Sequence, residues 1–149
     1  MSESWPVEVA LIVQWGDMDA FQHVNNTVFL RWFESARIAY FEKVGMPTGA
    51  GTTASADGAE PGPILARATV DFLKPVTFPD RVTARARVAK VGNSSFTMLY
   101  QVYSEKLGAV VGQGEGVVVM FDYAKQTKVP VSDALRARIA QLEGGAHAP

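Results

Sequence analysis

The sequence predicts an α+β fold: an antiparallel sheet of about five strands wrapped around one long central helix, with a short C-terminal helix. Three observations lead there. One long run has helical period and is apolar on nearly every face. Several shorter runs alternate apolar and polar residues. The later runs are separated by such short turns that their strands must be antiparallel.

Taken in order, Val7 to Trp15 (VEVALIVQW) is β-branched and aromatic over a short stretch and reads as a strand. The segment Gly16 to His23 is a loop. From Thr27 to Val44 the period changes: Phe29, Phe33, Ala36 and Tyr40 share a helical face, while Leu30, Trp32, Ile38 and Phe41 add apolar surface elsewhere. A helix apolar all round is a buried helix. Asn25 or Asn26 caps its start, and Gly45 followed by Pro47 stops it. Ile64 to Leu73 is the next strand, ended by Pro75. Arg81 to Val91 alternates Val82, Ala84, Ala86 and Val88 with Arg81, Thr83, Arg85 and Arg87, an outward stripe expected to be simply solvated. Gly92-Asn93-Ser94 makes a turn, Ser95 to Ser104 a strand, and Glu105 to Gly108 a hairpin loop. Ala109 to Asp122 is the last long strand. Its Gly112, Gly114 and Gly116 share one face, which predicts a close approach there by the buried helix. Pro130 to Leu142 closes the chain as an amphipathic helix with Ser132 as N-cap.

With 149 residues, 48% hydrophobic, one domain over 1–149 is expected. Of its 13 glycines and 8 prolines, eight fall between Gly45 and Pro63, which reads as a flexible surface loop, and 143–149 reads as a disordered tail. Fourteen basic against fifteen acidic side chains, net −1, leave no basic footprint for nucleic acid. The absence of cysteine excludes disulfides, thiolate metal sites and a cysteine nucleophile. No basic leader and no apolar run of about 18 residues is present, so a cytoplasmic protein without a membrane span is expected.

Nucleophile elbows, P-loops and GxGxxG turns are missing; Gly112-Gln113-Gly114-Glu115-Gly116 comes nearest but lies within a strand. Of the two histidines, His147 is in the tail. Chemistry therefore narrows to Asp17, Asp19, His23, Asn25 and Asn26, between a strand end and a helix start. A helix N-terminus offers free N–H groups to a developing oxyanion, and a nearby carboxylate can attack a carbonyl or activate water. Spacing alone leaves open whether these aspartates catalyse or cap. On the helix, Glu34 is flanked by Arg31 and Arg37, which predicts intrahelical ion pairs.

The stretch Trp15-Gly16-Asp17-Met18-Asp19-Ala20-Phe21-Gln22-His23-Val24-Asn25-Asn26, followed by FLRWFESARIAYFEKVG, resembles the acyl-CoA thioesterases of the 4-hydroxybenzoyl-CoA thioesterase family. The resemblance continues through Asp71-Phe72-Leu73-Lys74-Pro75, Gly92-Asn93-Ser94-Ser95-Phe96 and the closing helix. It implies the hotdog fold, a sheet wrapped around a long helix, and hydrolysis of an acyl-CoA or carrier-protein thioester with no cofactor or metal. It further implies that Asp19 is the catalytic carboxylate, as nucleophile or general base, with a backbone N–H at or near Asn26 polarising the carbonyl. Asp17 reads as structural, capping or turning the loop; His23 either contacts the thioester, orients Asp19 or packs structurally, and His23, Asn25 and Asn26 are carried as substrate-binding candidates. Where relatives carry a basic cluster for the nucleotide phosphates, this chain has Gly92, Asn93 and Ser94, with Lys90 the nearest cation; Lys90, Asn93 and Ser94 are the substrate-binding candidates there. Subunits of this family pair, so a homodimer or homotetramer is expected, with the site at the interface. Two other readings stand beside it: a hotdog hydratase or dehydratase pairing Asp with His, and a non-catalytic acyl-thioester binding module.

Overall fold

The computed structural model describes residues 5–48 and 61–144. Strand β1 (Val7–Ile12) passes through a 3-10 turn (Trp15–Asp17) into helix α1 (Asn26–Lys43). Then come β2 (Gly62–Phe72), β3 (Arg81–Val91), β4 (Ser95–Ser104), β5 (Ala109–Asp122), the two-residue β6 (Thr127–Lys128) and helix α2 (Asp133–Leu142). All pairs are antiparallel, in the order β1-β3-β4-β5-β2, with β6 on the end of β5. The expected α+β architecture of sheet, long helix and short closing helix is what the chain forms. The central part of the Gly/Pro-rich loop (49–60) and the tail with His147 (145–149) lie outside the described residues.

Period-2 patterning puts one face of the sheet on α1. Val7, Ala86, Tyr100, Gly114 and Val70 lie side by side across the five strands, and the next row, Glu8, Arg85, Gln101, Gln113 and Asp71, points away. α1 buries Val28, Phe29, Trp32, Phe33, Ala36, Tyr40 and Phe41 against the inner rows. Each of the large side chains contributes about 1.5–3 kcal/mol on leaving water. Phe33 stacks on Tyr100 with centroids 4.9 Å apart, and Phe29 meets Phe72 edge-on at 5.2 Å.

The glycine face of β5 makes this approach possible. A β-carbon at Gly112 would lie 2.7 Å from the Phe29 ring, and one at Gly114 would lie 2.7 Å from the Phe33 ring and run into the Thr69 carbonyl. Gly116 faces Tyr100 rather than the helix, its β-carbon position 2.7 Å from the phenol oxygen.

Both ends of α1 are tied down. Asn25 accepts the Thr27 N–H at 2.9 Å. At the other end Gly45 takes a left-handed φ of +74°, and Arg138 of α2 donates to the Val44 carbonyl at 2.6 Å. Nearer that end, the fully buried Tyr40 donates to Glu143 at 2.5 Å, and the same carboxylate oxygen accepts the Val88 N–H at 3.0 Å. Burial, reinforced by Glu143, pushes the Tyr40 phenol far above its usual range, so it stays a donor at any working pH.

Several expectations need correction. α1 is not buried all round: Leu30 and Ile38 are 41% and 37% exposed, on the same outer side as Arg31 and Glu34. The first strand stops at Ile12 rather than Trp15, because the Asp17 carboxylate captures the Gln14 N–H and turns the chain. The second strand runs from Gly62 to Phe72 rather than 64 to 73; Pro63 is tolerated because β2 is an edge. α2 begins at Asp133, one residue after its cap Ser132. The arginine stripe is not merely solvated: Arg85 reaches Glu8 at 3.1 Å and Gln101 at 2.7 Å, and Arg87 lies 4.8 Å from the Trp5 ring. Glu34 pairs only loosely with Arg37, at 3.9 Å, while Arg31 turns elsewhere.

The glycine face yields a stability test. Gly114→Ala destabilises by about 1–3 kcal/mol through overpacking, read as a lower midpoint in thermal melting. Gly16→Ala, with nothing within 4 Å of its β-carbon position, leaves the midpoint unchanged.

Candidate active site

The chain between β1 and α1 bonds both to itself and to the elements around it. Beyond β1, the Val13 N–H donates to the Asp80 carbonyl at 3.0 Å. The 3-10 turn then brings Asp17 inward, where it is 8% exposed. A carboxylate that deep must be satisfied. Asp17 Oδ2 accepts the Gln14 N–H at 2.9 Å, Oδ1 accepts Arg31 of α1 at 2.9 Å, and its carbonyl accepts the Asn25 N–H at 2.9 Å. Its role is structural, as its position before the helix predicts.

Asp19, two residues on, is differently placed. Residues 18–24 form a miniature hairpin: Met18 and Val24 bridge, and the Asp19 N–H donates to the His23 carbonyl at 2.9 Å. The Gln22 N–H closes the tip onto the Asp19 carbonyl at 2.9 Å, which puts Gln22 in the left-handed region at φ +64°. The hairpin is braced on the rest of the fold by Val24 N–H to the Val76 carbonyl (2.8 Å) and Phe78 N–H to the Met18 sulfur (3.5 Å). Asp19 is half-buried, and its Oδ1 is held by the Phe21 N–H at 2.8 Å. Oδ2 has no partner among the described residues. One oxygen orients the carboxylate and the other is available for chemistry.

The start of α1 is equally selective. Asn25 spends its side-chain oxygen on the Thr27 N–H and hydroxyl, both at 2.9 Å, and its carbonyl on the Val28 N–H. The Asn26 N–H has no acceptor among the described residues. It therefore points out of the helix end with the positive end of the dipole behind it. The cap oxygen of Asn25 is committed to the helix, and only its amide NH2 remains to meet another molecule. His23 is exposed at the hairpin base.

The other substrate-binding candidates are elsewhere. Lys90, Asn93 and Ser94 sit at the β3–β4 turn, whose carbonyls are engaged from β5 and from the segment leading into α2: Asn93 by the Val131 N–H (2.8 Å) and Ser94 by the Met120 N–H (2.9 Å). The Asp19 hairpin adjoins the opposite end of β3, at Asp80 and Arg81. The length of β3 from Arg81 to Lys90 separates them, roughly 30 Å at about 3.3 Å per residue. One chain thus does not bring the two groups together. Sequence reasoning also missed Arg136, which donates to the Gly92 carbonyl at 2.9 Å and brings a cation to the β3–β4 turn. Its only signal was a place near the start of the closing helix. Among the described residues no three His, Asp or Glu side chains gather in a metal-holding group.

Comparison with known proteins agrees with this architecture. The sequence model of the thioesterase-like superfamily matches residues 13–139. A thioesterase from Thermus thermophilus, solved in complex with coenzyme A and Zn, is 32% identical, with a TM-score of 0.76 over 91% of this chain and 98% of its own. A thioesterase-superfamily structure from a Jannaschia species is 26% identical, with a TM-score of 0.80 over 94% of this chain and 84% of its own. The uncharacterised protein YsmA of Bacillus subtilis (strain 168) is 28% identical over 124 residues, which is 80% of this chain and 74% of that one.

Loss of the cap is directly measurable. Asn25→Ala costs about 1 kcal/mol and speeds hydrogen exchange at the Thr27 amide, while amides in the middle of α1 keep their protection.

Proposed function

This chain belongs to the thioesterase-like superfamily, and on that premise we propose that it hydrolyses an acyl-CoA thioester to the free acid and coenzyme A. The observation that carries the mechanism is the pairing of an Asp19 carboxylate held by one oxygen and open at the other with an Asn26 N–H that has no acceptor among the described residues. The thioester carbonyl oxygen accepts the Asn26 N–H, and Asp19 Oδ2 acts at the carbonyl carbon. As nucleophile it forms the carbon–oxygen bond while the carbon–sulfur bond breaks; coenzyme A leaves as thiolate, and water cleaves the mixed anhydride to regenerate the carboxylate. As general base it takes a proton from water as that water's oxygen bonds to the carbonyl carbon; the carbon–sulfur bond then breaks and the proton passes to the leaving thiolate, restoring the carboxylate. Developing negative charge on the carbonyl oxygen meets a fixed dipole, and one such donor is worth about 10²–10³ in rate. His23, at the hairpin base, and the free amide of Asn25 lie beside this pair and contact the thioester arm.

A site that also uses Lys90, Asn93 and Ser94 requires a second copy. β2 is an outer strand over 11 residues, and Leu65 and Phe72 within it and Leu73 just after it are 40–48% exposed. An edge of that length, with no strand among the described residues on its outer side, invites pairing. Its Phe72 end lies at the Asp19 end of the sheet and its Gly62 end near the β3–β4 turn, because Phe72 pairs with Gly112 and Gly62 with Phe121. Antiparallel pairing of β2 with its copy sets the Asp19 end of one chain beside the Asn93 end of the other. The proposed enzyme is therefore a homodimer, or a tetramer of such pairs, acting in the cytoplasm as one domain per chain. Lys90, Asn93 and Ser94 receive the nucleotide end of coenzyme A.

The test is thiol release from a panel of acyl-CoAs and acyl carrier proteins. Wild type releases thiol from at least one member, and Asp19→Asn lowers the rate by about 10²–10⁴-fold. Silence across the panel refutes hydrolysis, and a fully active Asp19→Asn protein refutes the site. A change in enoyl absorbance without thiol would point to a hydratase instead.

A further inference from the structure

We propose that Arg31 is a positioning residue for this reaction: acting through Asp17, its guanidinium holds the Asp19 hairpin in register with the first turn of α1. The proposal rests on the hydrolase reading above. It starts from an imbalance in how the two catalytic groups are supported. The Asn26 N–H belongs to a helix anchored by deeply buried side chains, and Phe29, Trp32 and Phe33 are each 5% exposed or less. The Asp19 carboxylate belongs to a short hairpin whose internal hydrogen bonds set its shape and whose braces to Val76 and Phe78 tie it to the segment before β3 rather than to the helix.

Asp17 spans that gap. Its side chain takes the Gln14 N–H on the incoming chain and Arg31 on the helix, and its carbonyl takes the N–H of the cap residue Asn25. Arg31 stands five residues beyond Asn26 in α1, about 7.5 Å along the axis at about 1.5 Å per residue. It is therefore a fixed reference on the same rigid body as the oxyanion donor. Its local alternative was Glu34, three residues on, but Glu34 leans to Arg37 at 3.9 Å while Arg31 reaches Asp17 at 2.9 Å, 14 residues back in sequence. The Arg31 side chain is 65% exposed, so solvent screens the pair and its share of global stability is small. Distance between reacting groups is far less forgiving: a displacement of about 1 Å can cost on the order of 10² in rate. Arg31 thus matters more to turnover than to folding.

The experiment joins steady-state kinetics on the best acyl-CoA to amide hydrogen exchange by NMR, in wild type, Arg31→Ala, Arg31→Lys, Asp17→Asn and the double variant Arg31→Ala/Asp17→Asn. Arg31→Ala is expected to lower kcat about 10- to 100-fold with KM within about twofold and little change in melting midpoint. Arg31→Lys recovers part of kcat, since an ammonium can still reach one carboxylate oxygen. In the Asp17→Asn background, removing Arg31 costs nothing further. Exchange at the Phe21, Gln22 and Asn25 amides accelerates in Arg31→Ala. A raised KM with unchanged kcat would show Arg31 touching the substrate itself, and additive losses would show it acting independently of Asp17; either result overturns the proposal. Should the wild type release no thiol from any substrate, the hydrolase reading falls. The exchange data then decide alone whether Arg31 holds the hairpin, and unchanged exchange overturns that too.

Discussion

The face of α1 that carries Phe29, Phe33, Ala36 and Tyr40 must be buried while Leu30, Arg31, Glu34 and Ile38 stay outside, and the glycine face of β5 lets those rings come close enough. The Phe29 and Phe33 rings occupy the space that side chains at Gly112 and Gly114 would take. From that contact the rest follows in sequence. The sheet curves around the helix, Phe33 meets Tyr100, and the helix axis is fixed relative to the strands. With the axis fixed, the helix start is fixed too, and with it the direction of the Asn26 N–H.

The site shows how one short loop separates two identical side chains into different roles. Asp17 is buried, with both carboxylate oxygens and its carbonyl engaged. Asp19 keeps one oxygen open because its side-chain partner among the described residues is the Phe21 N–H of its own turn. Environment rather than residue type makes one a strut and the other a candidate for chemistry. The arrangement also explains why a small hairpin is used here. A bridge between Met18 and Val24 and a left-handed Gln22 give the carboxylate a rigid local frame, which an open loop of the same length would lack.

Much of this was legible in the sequence, and the reason is period. Burial on one face writes a two-residue repeat into β3 and β4 and a helical repeat into α1, so those elements could be placed from Val82, Ala84, Ala86 and Val88 or from Phe29, Phe33, Ala36 and Tyr40. The glycines of β5 were legible because three on one face have no local use. What stayed hidden depends on contacts between distant residues. The first strand reads through to Trp15 because nothing local shows that Asp17 will cap Gln14. Arg31 has an acidic neighbour at helical spacing, so its actual partner, outside the helix, could not be guessed. Lys90 and Asn93 look like part of the Asp19 site until the strand register puts them at the far end of the sheet.

The clamp between Tyr40 and Glu143 bears on how the chain matures during synthesis. The phenol lies in the first helix made, yet its acceptor is added 103 residues later. Until residue 143 emerges, the hydroxyl and the Val88 N–H lack the carboxylate that both donate to, and the helix can gather its apolar neighbours without its polar one. A nascent or prematurely terminated chain would carry that deficit in its interior. The polar closure of the core therefore waits on Glu143, the cap residue just beyond α2.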